Sequence, residues 1–234
     1  MKILAEESEK FGINLSDSQL EKFKVYMDYL LEYNSHTNLT AIKEPVDIMI
    51  KHFFDSIVLD KFLSIKKGGK IVDIGTGAGF PGIPLKILRQ DLNLTLIDSL
   101  NKRIMFLKEL MEKIDLEADV FHGRAEEFGQ NDKFREKFDF AVSRAVAPLN
   151  VLCEYCLPYV KINGYFTAFK GPEIKDEIEN SQNALKILGG EIEECKNFEL
   201  PLNKGKRNII IIKKIKKTPA NYPRSNSQIP KNPL

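Results

Sequence analysis

The apolar positions of this chain change their period near residue 66. Before that point they follow helical spacing: Leu20, Phe23, Met27, Leu30 and Leu31 share one helix face, which Ser16-Asp17-Ser18-Gln19 opens as a capping box. Asn34-Ser35-His36-Thr37-Asn38 breaks this helix, and Pro45 opens another with Ile48, Ile50, Phe53, Phe54, Ile57 and Val58 as apolar positions. After Lys67-Gly68-Gly69, short apolar runs alternate with helical patterns. The runs at 70–75, 94–99, 118–123, 138–143, 164–169, 191–198 and 207–214 predict strands. Those at 82–90, 101–114, 147–161 and 173–188 predict helices. Such alternation predicts an α/β fold with a mainly parallel sheet covered on both faces. The last two runs follow each other without a helix, so the final strand is expected to enter antiparallel. Pro219, Pro223, Pro230 and Pro233 exclude regular structure from the end of the chain, which reads as an extended tail. The expected divisions are a helical extension over 1–66, an α/β domain over 67–217 and a basic, proline-rich tail over 218–234.

Composition narrows this picture. With 234 residues, 43% hydrophobic and 29% charged, the chain has material for one large core. No apolar run approaches the ~20 residues that span a bilayer, and the start turns acidic at Glu6-Glu7 before a signal core could form. A cytoplasmic protein without membrane contact is expected. The net charge of +2 hides an asymmetry: nine basic and no acidic residues lie from Lys204 onward. The rest has a net charge of −7, because only 26 of the 35 basic residues face all 33 acidic ones. A basic end on an acidic body fits a polyanionic partner and equally fits a solvated tail. Cys153-Glu-Tyr-Cys156 has the spacing of a metal or redox site, but Leu149, Leu152, Cys153 and Cys156 share a helical face, and His36, His52 and His122 show no paired spacing. No metal is expected.

The richest stretch chemically is Ile71-Val72-Asp73-Ile74-Gly75-Thr76-Gly77-Ala78-Gly79-Phe80-Pro81-Gly82. A strand, a glycine turn and a helix N-terminus in that order cradle a nucleotide-like ligand. Asp98 closes the next strand, where an acid can accept hydrogen bonds from both ribose hydroxyls. The glycines read G-x-G-x-G, and Phe80 takes the third position of a dinucleotide fingerprint, which counts against a nicotinamide dehydrogenase. Ligands of open α/β sheets bind beyond the carboxyl ends of the strands. Those ends supply Asp98-Ser99-Leu100, Arg124-Ala125-Glu126 for an adenine edge, Ser143-Arg144-Ala145 and Lys170-Gly171-Pro172. Basic residues at two adjacent strand ends point to a phosphate-bearing or electron-rich substrate. The alternative for Arg144 is a surface ion pair.

Asp-x-Gly-x-Gly-x-Gly with an acid closing the next strand resembles the cofactor signature of S-adenosylmethionine-dependent methyltransferases. Gly79-Phe80-Pro81-Gly82-Ile83-Pro84, Lys51-His52-Phe53-Phe54-Asp55-Ser56, Tyr33-Asn34, Asn38-Leu39-Thr40, Asp98-Ser99-Leu100-Asn101-Lys102-Arg103, Ser143-Arg144-Ala145, Lys170-Gly171 and Tyr222-Pro223-Arg224 together resemble the RsmG (GidB) methyltransferases of bacterial small-subunit rRNA. Lys51 stands where that family more often has arginine. The resemblance covers the whole chain. It implies a seven-stranded Rossmann-like methyltransferase fold with an N-terminal helical extension, S-adenosylmethionine as cofactor, and methylation of guanine N7 in the 530 loop of 16S rRNA. It also implies that Asp73, Gly75, Gly77, Gly79, Phe80, Asp98, Ser99, Leu100, Ala125, Glu126 and Arg144 hold the cofactor, with Arg144 also catalytic. His52, Lys170, Lys216, Lys217 and Arg224 are expected to meet the RNA, and the enzyme is expected to act as a monomer. Arg144→Ala is expected to cut methyl transfer by an order of magnitude or more while leaving stability nearly unchanged, since the residue ends a strand facing the reaction. Guanine N7 carries a lone pair and no proton, so no general base is required, and placing the reacting atoms in line is the main demand. A small-molecule methyltransferase would share the glycine turn but leave the basic end unexplained. A non-catalytic RNA-binding module would leave the intact cofactor cradle unexplained.

Overall fold

Ile209, Ile210, Ile211 and Ile212 follow one another and are all buried, because their strand is covered on both faces. The first and third join the core on one side of the sheet, and the second and fourth join the core on the other. In the computed structural model, which describes residues 1–144, 147–225 and 227–234, seven strands form this single sheet. They are β1 (Lys70–Ile74), β2 (Asn93–Asp98), β3 (Asp119–His122), β4 (Phe138–Arg144), β5 (Val160–Lys170), β6 (Gly190–Glu199) and β7 (Lys206–Lys214). Their order is β3-β2-β1-β4-β5-β7-β6. All pairings from β3 to β5 are parallel, and β7 runs antiparallel to both β5 and β6, as the missing helix between the last two runs predicts. The order reverses between β1 and β4, so the crevice for a ligand opens beyond their carboxyl ends.

The first face carries helices from both halves of the chain. α1 (Lys2–Lys10) and α2 (Asp17–Thr37) come first; α2 has the expected capping box, with Ser16 and Gln19 bonding reciprocally. Asn38 ends α2 in the left-handed conformation, φ 50°. Pro45 opens a winding segment, α3 (Pro45–Asp47), a π-helical turn (Ile48–Phe54), α4 (Asp55–Ile57) and α5 (Leu59–Phe62). Phe23, Phe53 and Ile57 from these elements pack in one core with Ile83 of α6 (Gly82–Leu88) and Ile104 and Leu107 of α7 (Asn101–Lys113). Residues 1–66 therefore share the sheet's core. The second face carries α8 (Ala125–Gln130), α9 (Leu149–Cys156) and α10 (Lys175–Leu188). Cys153 and Cys156 are buried there, and no group of metal-binding side chains occurs among the described residues. No helix of the described residues is long and apolar enough to cross a membrane.

The end of the chain differs from the expected extended tail. It has no helix or strand among the described residues, but it folds back over the second face. Arg135 donates to the carbonyls of Thr218 (2.8 Å), Pro219 (3.0 Å) and Tyr222 (2.7 Å). The buried Lys214 donates to the Leu157 carbonyl (2.6 Å) and the Thr218 hydroxyl, and Ile229 is fully buried. Proline removes backbone donors, and Arg135 supplies donors to the carbonyls of the chain end.

Candidate active site

The glycine turn between β1 and α6 is tied down from three sides. Gly75 and Thr76 donate backbone N–H bonds to the Ile97 carbonyl (2.9 and 3.2 Å), and Gly77 donates to Oδ2 of Asp98 (2.9 Å). From below, Oδ2 of the fully buried Asp73 accepts from the Thr76 hydroxyl and the Gly82 N–H, both at 2.8 Å. From α2, the Tyr26 hydroxyl donates to the Ala78 carbonyl. Gly77 (φ +63°) faces open space where a Cβ would stand, so a ligand can lie against its backbone. Gly79 (φ +100°) has no such room: a Cβ there would meet Ile83 and the Tyr26 hydroxyl at 2.7 Å.

Three cavities follow the carboxyl ends of the strands. The first, about 140 Å³, lies between Gly75, Ser99, Ala125, Glu126 and Tyr155, and burial raises the carboxyl of Glu126. The second, about 400 Å³, continues past Gly77, Asp98, Arg103, Phe80 and Thr40. Gly75, Asp98 and Ser99 border both. The third, about 550 Å³, is lined by Lys51, Asp55, Lys170 and Arg207. His52 and Arg144 stand between the second and the third.

That partition is held by hydrogen bonds from one guanidinium. Arg144 Nη1 donates to the carbonyls of Lys51 and His52 (3.3 Å each), to Oδ2 of Asp55 (3.3 Å) and to the Ser56 hydroxyl (3.2 Å). The two carbonyls belong to the π-helical turn, a departure typical of functional sites, and Asp55 and Ser56 follow it directly in α4. Nη2 donates to Nδ1 of His52 (3.2 Å). The imidazole therefore carries its proton on Nε2, which donates to the Thr40 hydroxyl (2.9 Å). Burial and the Arg144 charge hold the His52 pKa at about 3, so the ring is neutral. It stacks on Phe80 at 4.4 Å between centroids; Tyr26 stacks on Phe80 at 5.3 Å, and the Arg144 guanidinium carbon lies 4.9 Å from the same ring.

The expected site residues divide accordingly. Gly75, Gly77, Phe80, Asp98, Ser99, Ala125, Glu126, Arg144, His52 and Lys170 border the three cavities. Asp73 and Gly79 lie beneath the turn and shape it, and Leu100 donates its N–H to Asp98 (2.9 Å). Arg144 is neither a surface ion pair nor a free strand-end cation: its side chain and that of Asp55 are 11% and 3% exposed. His52 has both ring nitrogens engaged by protein, while its ring borders the second and third cavities. Lys170 reaches the third cavity with its ammonium on Glu177 (2.5 Å) and the Ala147 carbonyl (2.7 Å). Lys216 and Lys217 are exposed at the end of the sheet opposite the cavities. β7 pairs Asn208 with Lys170 beside the site and Lys213 with Tyr165 away from it, so the chain has left the site before residue 216. Arg224 is likewise withdrawn, donating to the buried Glu154 through Nε (2.9 Å), Nη2 (2.7 Å) and its backbone N–H (2.7 Å). Ala145, the third residue of Ser143-Arg144-Ala145, lies outside the described residues.

Sequence reasoning gave no role to Asp55, Arg103, Arg207 or Tyr26. Asp55 was within reach, because it falls three residues after His52 in a helical pattern and so shares its side. Arg207 pairs with Asp55 (3.5 Å) across 152 positions, and no local pattern announces that.

Asp73 gives a pH prediction. Its Oδ1 is buried without a partner among the described residues, and burial raises the pKa to about 7 despite the bonds from Thr76 and Gly82. A carboxyl raised in the folded state contributes most below its unfolded value near 4, and that contribution is lost as pH rises through 7. Asp73→Asn keeps an acceptor for Thr76 and Gly82 and removes the charge. Its urea midpoint is expected to exceed that of the wild type at pH 8, with the difference closing toward pH 4; parallel midpoints at both pH values would refute the assignment.

The family described as rRNA small subunit methyltransferase G matches residues 19–210. A protein of Alkaliphilus metalliredigens named ribosomal RNA small subunit methyltransferase G is 49% identical over 233 residues, covering 99% of this chain and 98% of the relative. One of the same name from Thermoanaerobacter sp. is 51% identical over 235 residues, covering 100% and 98%. Among solved structures, a putative class I S-adenosylmethionine-dependent methyltransferase from Listeria monocytogenes superposes with a TM-score of 0.58 at 14% identity, covering 85% of this chain and 71% of that one, which shows a shared fold.

Proposed function

The chain belongs to the rRNA small subunit methyltransferase G family, and on that premise we propose that it methylates N7 of a guanine in the 530 loop of 16S rRNA, with S-adenosylmethionine as donor. The observation that carries this reading is the wall of Arg144 and His52, which joins a nucleoside-sized space along the strand ends to a larger cavity lined by Lys170 and Arg207.

The residues present fit the cofactor. Gly77 leaves its backbone open to a ligand, Ala125 and Glu126 border the pocket at the start of α8, and Asp98 stands where a ribose needs an acceptor. Bound there, S-adenosylmethionine supplies a methyl group on a sulfonium. Phe80 and the neutral His52 ring present flat surfaces at the junction of the cavities, and Arg144 fixes both relative to β4.

Nothing in this geometry removes a proton, which agrees with attack by a guanine nitrogen that carries none. His52 has both nitrogens engaged, while Asp55 and Glu177 are held by Arg144, Arg207 and Lys170. The chain's contribution is position: a hydrogen-bonded wall setting nucleophile, methyl and sulfur in line. Transfer leaves a positive purine. The carboxylates of Asp55 and Glu177 offset the local arginines and lysine, so the cavity that receives this charge is not uniformly cationic. The reading calls for no metal and for one copy of the chain.

Tritiated methyl transfer to small-subunit rRNA, followed by nucleoside mapping, tests it. Label is expected in N7-methylguanosine from the 530 loop; label in another nucleoside or another loop would overturn the specific assignment.

A further inference from the structure

Asp98 is more fully engaged than a ribose-binding carboxylate should be. Its Oδ2 accepts from the Gly77 N–H (2.9 Å) and from Nη1 of Arg103 (3.0 Å). Its Oδ1 accepts from the Leu100 N–H (2.9 Å) and from the same Nη1 (3.3 Å). A carboxylate offers about four acceptor positions. Two serve backbone groups that shape the strand ends, and one guanidinium takes the other two. With the Asp98 side chain 1% exposed, solvent has no share in them.

The guanidinium is not well satisfied there. Arg103 Nε is buried and has no hydrogen-bond partner among the described residues, a condition that carries a desolvation cost. Arg103 comes from the first turn of α7 and borders the second cavity beside Gly77 and Asp98. Its side chain is 32% exposed, so a path to solvent is open.

We propose that Arg103 occupies the ribose position of the cofactor site in the free protein and is displaced when the cofactor binds. This rests on the S-adenosylmethionine reading. The two positions that Arg103 holds are the number a vicinal diol requires, and the bonds from Gly77 and Leu100 persist through the exchange. Leaving also frees Nε to reach water. Apparent affinity is lowered by the fraction of molecules in which the arginine is seated. An arginine that merely orients Asp98 would act with the opposite sign, and its removal would loosen the carboxylate and weaken binding.

Titration calorimetry of the full chain with S-adenosylhomocysteine separates the two. Arg103→Ala and Arg103→Gln are compared with the wild type after their melting temperatures are checked; the glutamine variant keeps part of the stem should alanine destabilise α7. Both variants are expected to bind about tenfold tighter, the effect of releasing a hydrogen bond between charged groups. Equal or weaker binding by both variants would overturn the proposal. Binding by none of the three proteins would overturn the cofactor reading itself, and the displacement with it.

Discussion

Arg144→Ala is expected to cost about 3–5 kcal/mol of stability, the range for removing one partner of a buried ion pair, and to abolish methyl transfer in the molecules that stay folded. The guanidinium satisfies two carbonyls, a carboxylate, a hydroxyl and an imidazole nitrogen at once. Without it, Asp55 keeps among the described residues the long contact to Arg207 (3.5 Å), and the carbonyls of Lys51 and His52 lose a donor. The sequence alone leads to the opposite expectation for stability, because a strand end pointing at a ligand looks free of the core. Arg144→Lys keeps the charge but lacks the fork and is expected to fall between wild type and alanine in melting temperature. Fold and function can then be separated with the double variant Arg144→Met with Asp55→Asn, which removes both charges together. It is expected to regain much of the stability, since buried pairs are replaceable by uncharged side chains, and none of the activity. Normal turnover by that variant would show that the wall between the cavities only needs to be filled.

Much of the architecture could be read from the chain. The short apolar runs and the helical periods between them carry most of it, because β1, β2, β4 and β7 are buried on both faces, whereas β3 and β6 at the sheet edges are largely exposed. The antiparallel β7 was legible from the absence of a helix between β6 and β7. The glycine turn was legible because local backbone geometry demands those residues. The electrostatics of the site were less accessible. Whether a basic residue at a strand end meets solvent, ligand or a buried carboxylate depends on what the N-terminal helices bring against it. Arg144 and His52 are 92 positions apart and come within 3.2 Å only in the fold. The run of nine basic residues illustrates the same limit. Arg207 reaches the third cavity, whereas Lys214 is buried, Lys216 and Lys217 are exposed at the far end, and Arg224 is paired with Glu154. Charge counted along the chain says nothing about the end of an antiparallel strand at which it emerges.

Removal of residues 216–234 is therefore expected to destroy folding rather than merely weaken RNA binding. It would strip the carbonyl partners from Arg135, the Thr218 hydroxyl from the buried Lys214 and the buried Ile229 from the second core, and it would leave Glu154 buried and unpaired. The last loss can be measured alone. Arg224→Ala is expected to cost about 3–5 kcal/mol, since the Glu154 side chain is 1% exposed and a lone buried carboxylate is strongly unfavourable. Urea denaturation gives that value directly. Glu154→Gln with Arg224→Met, which removes both charges, should recover most of it. RNA binding supplies the decisive contrast. A residue that neutralises one phosphate contributes about −0.7 to −0.9 to the slope of log affinity against log salt. Arg224→Ala, studied at a temperature where it is folded, is expected to keep the wild-type slope. Arg207→Ala, at the mouth of the third cavity, is expected to make the slope shallower by about that amount. A shallower slope for Arg224→Ala with an unchanged urea midpoint would return the end of the chain to the RNA interface and remove it from the fold.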